Sequence, residues 1–346
     1  MKPFFVRRSS WLGKWMIAAV SLAGLAGLAQ AADDAQPQAA LTTVSSLAPN
    51  HRPQNVPLDY VITPNGYFSA SCVHAVNQGE RVRADGSIEA LDGSIRTPAA
   101  CTQPHYTQSG VRIEANGSIG SPSSKQPASS YSGWLLTADY VSSSDVGSIS
   151  ATWTVPTNPS KTTNQVDYFF PGLEQNDSNP DSILQPVLGY NAFSGSGVSK
   201  WTLSSWNCCY AGSTYYSGPV NTAAGHEIYG IVTATCTSTS DSSTSDSSTC
   251  ATITSTDETS GASTTFTTSP YGALTWVFGG TLEAYNISSC SLLPASGSVA
   301  FTSIVVKNMS GSTLSNPWSA DNIIGSSGPN CNYDISTSNS SVTLKY

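Results

Sequence analysis

Across 346 residues, Asp and Glu outnumber Lys and Arg by 22 to 14, and only 10% of positions are charged. Such a sparse, acidic chain lacks the basic stripe that nucleic acid or an anionic membrane surface requires, so neither is expected as a partner. Its four histidines are scattered and no Cys-x-x-Cys pair occurs, so no metal and no other cofactor is expected.

Lys2, Arg7, Arg8 and Lys14 precede the apolar run Met16–Leu28, and Ala29-Gln30-Ala31 has the small-x-small form of a processing site. Residues 1–31 therefore read as a signal peptide, and the product is expected to be secreted, extracellular or periplasmic. The run falls short of the ~20 apolar residues of a membrane span. Export would put the eight cysteines in an oxidising compartment, where disulfides are the default. Spacing pairs Cys72 with Cys101, Cys236 with Cys250 and Cys290 with Cys331, and leaves Cys208 and Cys209 unassigned.

Residues 32–57 are rich in Ala, Gln and Pro without periodicity. Residues 59–119 differ, with four arginines and three related turns, Asp85-Gly86-Ser87-Ile88, Asp92-Gly93-Ser94-Ile95 and Asn116-Gly117-Ser118-Ile119. Asp-Gly and Asn-Gly mark tight hairpins, which predicts a small β-rich module. Residues 120–130, GSPSSKQPASS, form a Ser/Pro/Gly linker suited to a boundary or a cut.

From Tyr131 the pattern is all β. Strands are predicted over 133–140, 148–155, 167–173, 183–190, 201–207, 226–236, 251–255, 263–268, 274–278, 281–287, 298–307 and 341–345, with no convincing helical period. The expected fold is a two-sheet antiparallel β-sandwich. This region holds four basic against fourteen acidic residues, a net charge of −10, which suits an acidic setting. The Ser/Thr-rich stretch 237–249 reads as a hairpin tip without chemistry.

Elimination narrows the chemistry. His226 is the single histidine after the linker, at a turn, and no Gly-x-Ser-x-Gly elbow accompanies it. With the cysteines paired, carboxylate and amide chemistry remains. Glu227 and Glu258 fit solvated turns. Glu283, in Thr281-Leu282-Glu283-Ala284-Tyr285-Asn286-Ile287, falls by alternation on one face with Thr281, Tyr285 and Ile287, where desolvation raises a carboxyl pKa. Gln185 interrupts the apolar run Ile183–Leu188 and is either tied into a structural hydrogen bond or lines a cleft, since an unpaired buried amide costs roughly 2–7 kcal/mol.

The ordered motifs Tyr131-Ser132-Gly133-Trp134-Leu135-Leu136, Val146–Pro156, Phe170-Pro171-Gly172-Leu173-Glu174, Ile183-Leu184-Gln185, Leu282-Glu283-Ala284-Tyr285, Leu293-Pro294 and Gly297–Thr302 resemble the eqolisins. These are glutamic peptidases built on a lectin-like, concanavalin A-type β-sandwich. The resemblance implies a secreted acid endopeptidase, a monomer acting on proteins or peptides. It implies Gln185 and Glu283 as the catalytic residues, with Phe170, Glu174, Tyr285 and Trp206 supporting the cleft. Phe170 stands where the family has Trp, Glu174 where it has Asp, and Ala284 where Trp follows the acid. The resemblance also makes 32–130 a removable pro-segment with its linker, and 131–346 the catalytic domain. Its arginines are expected to pair with the acidic domain and to release it as carboxylates protonate. Other readings are a carbohydrate-binding sandwich with Trp201, Trp206, Tyr215 and Tyr216 as stacking platforms, a glycosidase using Glu174 and Glu283, or a neprosin-like peptidase with that same pair.

Overall fold

Period-two runs of Val, Ile, Thr and aromatic residues become strands throughout the computed structural model, which describes residues 43–45, 52–120, 130–175, 183–209, 212–234, 250–269 and 272–346. Residues 1–31, expected as a signal peptide, residues 121–129 of the expected linker, and Cys236 with the stretch 237–249 lie outside the described residues. No α-helix occurs among the described residues, and none is long and apolar enough to cross a membrane.

Two large sheets face each other as a β-sandwich. The first runs in the order Ser319–Asn322, Tyr131–Val141, Leu274–Ile287, Val166–Gln175, Ile183–Tyr190, Trp201–Cys208, Thr214–Ser217, Val73–Val76, with Val220–Thr222 also on Trp201–Cys208. The second runs Asp334–Ser338, Ser341–Lys345, Ser298–Asn308, Val146–Thr154, Glu227–Ala234, Ala251–Asp257, Ser263–Thr268, Arg81–Val82, Ile88–Glu89, Ile95–Arg96. Between them lies the main core, with Leu135, Ile149, Trp153, Phe169, Leu188, Ile253, Leu282 and Phe301 buried. Disulfides Cys72–Cys101 and Cys290–Cys331 form as the spacing predicts, and Cys208 bonds its neighbour Cys209.

Residues before the linker do not stand apart as a module. Val73–Val76 pairs parallel with Thr214–Ser217 in the first sheet, and Arg81–Val82 pairs parallel with Ser263–Thr268 in the second. The front of the chain thus extends both sheets. The three Gly-Ser-Ile turns are tight hairpins of one kind, since Asp85, Asp92 and Asn116 each accept the backbone N–H of the serine two residues on, at 2.9, 2.9 and 3.0 Å. A separate four-stranded sheet, Tyr60–Thr63, Gly66–Ser69, His105–Tyr106 and Arg112–Ile113, is built from front residues alone.

Two predicted details change. Residues 274–287 form one continuous strand instead of two, because Gly279-Gly280 is not a turn. These glycines make room for rings: a Cβ on Gly279 would lie 2.7 Å from the Trp318 ring, and one on Gly280 would meet Phe301, with Cε2 at 2.8 Å. Secondly, Ile287 turns into the main core, away from the face of Tyr285. Asn286 has φ +62°, which breaks the alternation there.

Gly280→Ala is therefore expected to destabilise the fold by about 1–3 kcal/mol, as for other overpacked cores. Thermal unfolding checks it, and an unchanged Tm would mean that the Phe301 ring yields freely.

Candidate active site

The outward face of the first sheet carries a second apolar cluster. Tyr168, Phe170, Ile183, Val187, Trp206, Tyr216, Phe278 and Tyr285 line it, and front residues Val56, Tyr60, Ile62, Tyr67, Phe68 and Tyr106 pack onto them. Alternation decides which side chains arrive here. Along Ile183–Tyr190, Leu184 and Leu188 turn to the main core, so Gln185 shares the outer face with Ile183 and Val187. Along Leu274–Ile287, Leu282 and Ala284 turn inward, which leaves Glu283 outward beside Tyr285. One strand, Val166–Gln175, separates the two, and Tyr168 stands opposite Glu283 in register.

Both side chains are fully buried, and one residue of the front segment touches both. Asn65 donates its backbone N–H to Glu283 Oε1 at 2.9 Å and Oε2 at 3.2 Å, while its Nδ2 donates to Gln185 Oε1 at 3.3 Å. Gln108 Nε2, also from the front segment, donates to Glu283 Oε1 at 2.7 Å. The Tyr285 hydroxyl lies 2.6 Å from the same oxygen, and the Trp134 side chain donates as well. Gln185 Nε2 finds no partner among the described residues. The result is a carboxyl held by several donors next to an amide with donor capacity to spare.

Burial raises the Glu283 pKa to about 7, and the hydrogen bonds from Tyr285, Gln108, Asn65 and Trp134 pull it back only in part. The ionisable groups facing it are Tyr67 from the front segment, Tyr131 and Tyr168 from neighbouring strands, and Tyr285 from its own. None of these is a cation, so no full positive charge offsets the cost of burying the carboxylate.

The remaining expected residues take different places. Phe170 is buried in the outer cluster, edge-on to Trp134 at 5.8 Å between ring centroids. Trp206 is opposite Gln185 in register and stacks on Tyr216 at 4.9 Å, its indole N–H given to Ser204 Oγ at 2.6 Å. Glu174 lines a cavity of about 630 Å³ with Trp134, Trp276, Cys209, Asn65 and Gln108. It stands opposite Trp276, whereas Glu283 stands opposite Tyr168. At ~3.3 Å per residue that offset puts the two glutamates roughly 20 Å apart along the strands. Glycosidase carboxyl pairs sit within about 9.5 Å of one another. The pairing of Glu174 with Glu283 is not brought together.

Nor do the supposed stacking platforms lie open. Trp201 and Tyr215 are inside the main core, and Trp206 and Tyr216 are covered in the outer cluster. His226 pairs with Asp257 at 2.7 Å, away from Glu283 and Gln185. The arginines of the front segment bind within that segment: Arg81 and Arg83 to Glu89, Arg96 to Glu80, Arg112 to Glu114, and Arg52 to the carbonyls of Pro57 and Tyr60. The expected pairing with the acidic domain is not what joins the two parts; apolar packing, strand pairing and the amide contacts to Glu283 do so.

Sequence reasoning missed Asn65, Gln108 and Asp167. Thr63-Pro64-Asn65-Gly66 is a legible turn, with Asn65 and Gly66 at φ +94° and +134°, yet nothing local says where the turn docks. In the sequence Asp167 reads only as the first residue of a strand. It is fully buried with neither oxygen hydrogen-bonded among the described residues, and burial raises its pKa well above the usual carboxylate range.

Stability should follow these two acids. Both have folded pKa values above their unfolded ones, so each contributes fully below its unfolded pKa and loses that contribution as pH rises through the folded one. For Glu283 the window runs from 4.5 to about 7. At 1.36 kcal/mol per unit it is worth on the order of 3 kcal/mol. Glu283→Gln and Asp167→Asn should each flatten the fall in Tm between about pH 4 and pH 8, and parallel pH profiles would contradict this.

No protein-family model and no curated protein matches the sequence. Among solved structures, the chain is similar to Scytalido-glutamic peptidase with a peptide-based transition-state analogue, at 19% identity and TM-score 0.44, covering 63% of this chain and 99% of that one. It is likewise similar to SCP-B, a member of the eqolisin family of peptidases in complex with the tripeptide Ala-Ile-His, at 18% identity and TM-score 0.42, with the same coverage of 63% and 99%. A second structure of scytalido-glutamic peptidase, with a transition-state analogue inhibitor, is similar at 18% identity and TM-score 0.42, again over 63% and 99%. The likeness is one of fold, to glutamic peptidases of the eqolisin type.

Proposed function

We propose that the chain is a secreted acid endopeptidase of the glutamic type, made as a precursor whose front segment covers the site. The observation that carries this is Asn65, which meets Glu283 and Gln185 at once and so marks a single point that both can reach. The order of motifs from Tyr131 to Thr302 agrees with it.

In the mature enzyme, water and substrate take the place of the Asn65 and Gln108 amides. Readmitting solvent removes the desolvation that raises the Glu283 pKa, and its carboxylate becomes available at acid pH. Glu283 takes a proton from water as the water attacks the peptide carbonyl. Gln185 Nε2, which has no hydrogen-bond partner among the described residues, donates to the developing oxyanion. Glu283 then passes its proton to the departing nitrogen, and the C–N bond breaks. In the precursor the same carboxylate is covered by amides, leaving the enzyme latent.

Incubating purified precursor at about pH 3–4, where most carboxylates become neutral, is expected to yield a new N-terminus within 123–131 and peptide release from denatured casein. Glu283→Gln should abolish release, and Gln185→Ala should lower kcat by about 10²–10³-fold, the usual effect of losing one oxyanion donor. Activity surviving both substitutions would reject the assignment, and an intact precursor with full activity would reject the latent form.

A further inference from the structure

We infer that Tyr168 and Tyr285 are main-chain anchors of the cleft, whose hydroxyls hold the carbonyls of two consecutive residues on the N-terminal side of the bond to be cut. The inference rests on the peptidase reading and adds to it a substrate-binding element. Residues 62–65 of the front segment serve as the bound polypeptide. The Tyr168 hydroxyl donates to the Ile62 carbonyl at 3.3 Å, and the Tyr285 hydroxyl lies 2.9 Å from the Thr63 carbonyl. Two residues later, the Asn65 N–H points at Glu283. That nitrogen belongs to the Pro64–Asn65 peptide bond, so it occupies the place of a leaving nitrogen facing the group that would protonate it.

The two phenols are held for this task. Both are fully buried, they sit edge to face at 6.2 Å between ring centroids, and Tyr67 packs edge-on against Tyr285 at 5.3 Å. Each comes from a strand of the sheet floor, one beside Glu283 and one opposite it in register. A hydroxyl fixed in an apolar wall loses free energy unless an acceptor meets it. Once the front segment leaves, consecutive carbonyls spaced as in a polypeptide can restore both bonds. On this inference the Pro64–Asn65 bond is not itself cut. The Asn65 carboxamide is on Gln185 Oε1, and the Pro64 carbonyl takes a hydrogen bond from the Thr63 hydroxyl at 3.3 Å and none from Gln185 Nε2, so the proposed oxyanion donor is not engaged there.

Tyr285 has a second task as a positioning residue, because its single O–H proton lies between the Thr63 carbonyl and Glu283 Oε1 and is shared by these two acceptors as a three-centre bond. Tyr168 makes no such contact, and this separates the two in an experiment. In acid-matured protein, Tyr168→Phe should raise KM roughly threefold to tenfold, the worth of one hydrogen bond, and leave kcat unchanged. The effect should disappear for substrates lacking a third residue before the cut. Tyr285→Phe should raise KM for any substrate with a second residue before the cut, and should also move the acid limb of kcat/KM to higher pH, since a donor to the carboxylate is lost. KM values and pH profiles matching wild type at every substrate length would overturn the inference.

A second measurement needs no catalysis. In full-length Glu283→Gln protein, each Tyr→Phe change should speed hydrogen exchange of the amides across 62–66 and leave the two large sheets protected. Unchanged exchange there would also overturn the inference. Failure of the underlying reading looks different: wild type would release no peptide, or Glu283→Gln would remain active, whatever the phenols do.

Discussion

A carboxyl group sealed inside a protein without a cation must be neutral or richly hydrogen-bonded, and Glu283 meets that condition by drawing donors from three separate parts of the chain. Two of them, Asn65 and Gln108, belong to the front segment and lie 218 and 175 residues away in sequence. The closure of the site therefore depends on how the front of the chain is anchored. That anchoring is thorough, since the front segment supplies one outer strand to the first sheet, three to the second, and an apolar layer over the face that carries Glu283.

If the front segment is removed, as proposed, this arrangement sets what has to be undone. Arginines that pair within the front segment cannot act as its tether to the acidic domain. What holds Asn65 and Gln108 in place is an acceptor, and protonating Glu283 weakens it as an acceptor while leaving the apolar layer untouched. A cut in the linker alone would leave three strand pairings, to Phe193–Ser194, Thr214–Ser217 and Ser263–Thr268, and the aromatic layer standing. Release thus calls for loss of those pairings as well, by further cleavage or by local opening.

The acidity of the region from Tyr131 and the scarcity of bases within it fit the same physical setting. Asp167 and Glu283 are both buried acids whose pKa values burial raises, so ionising either is costly to the fold. The aromatic floor around Glu283, with Tyr168, Phe170, Phe278 and Tyr285, would become solvent-facing if the front segment left, which suits a cleft that recovers its burial from a bound chain.

Much of this was open to reading from local pattern. Alternation determined the all-β class and most strands, whereas Gln185, inside the apolar run Ile183–Leu188, stayed open between a structural hydrogen bond and a cleft until the two-sided burial of that strand placed it outward. Composition determined that Glu283 was the unusual acid, since a carboxyl between Leu282 and Tyr285 has few ways to be solvated. Local pattern failed at Gly279-Gly280, where the reason for two glycines is a pair of rings from distant strands, and at Ile287, where one residue at positive φ reverses the faces. It could not reach Asn65, Gln108 or the pairing of the front segment with both sheets. Those are decided by contacts between residues far apart in the chain, and their energy exists only after the sandwich has closed and brought the ends of the chain onto one floor.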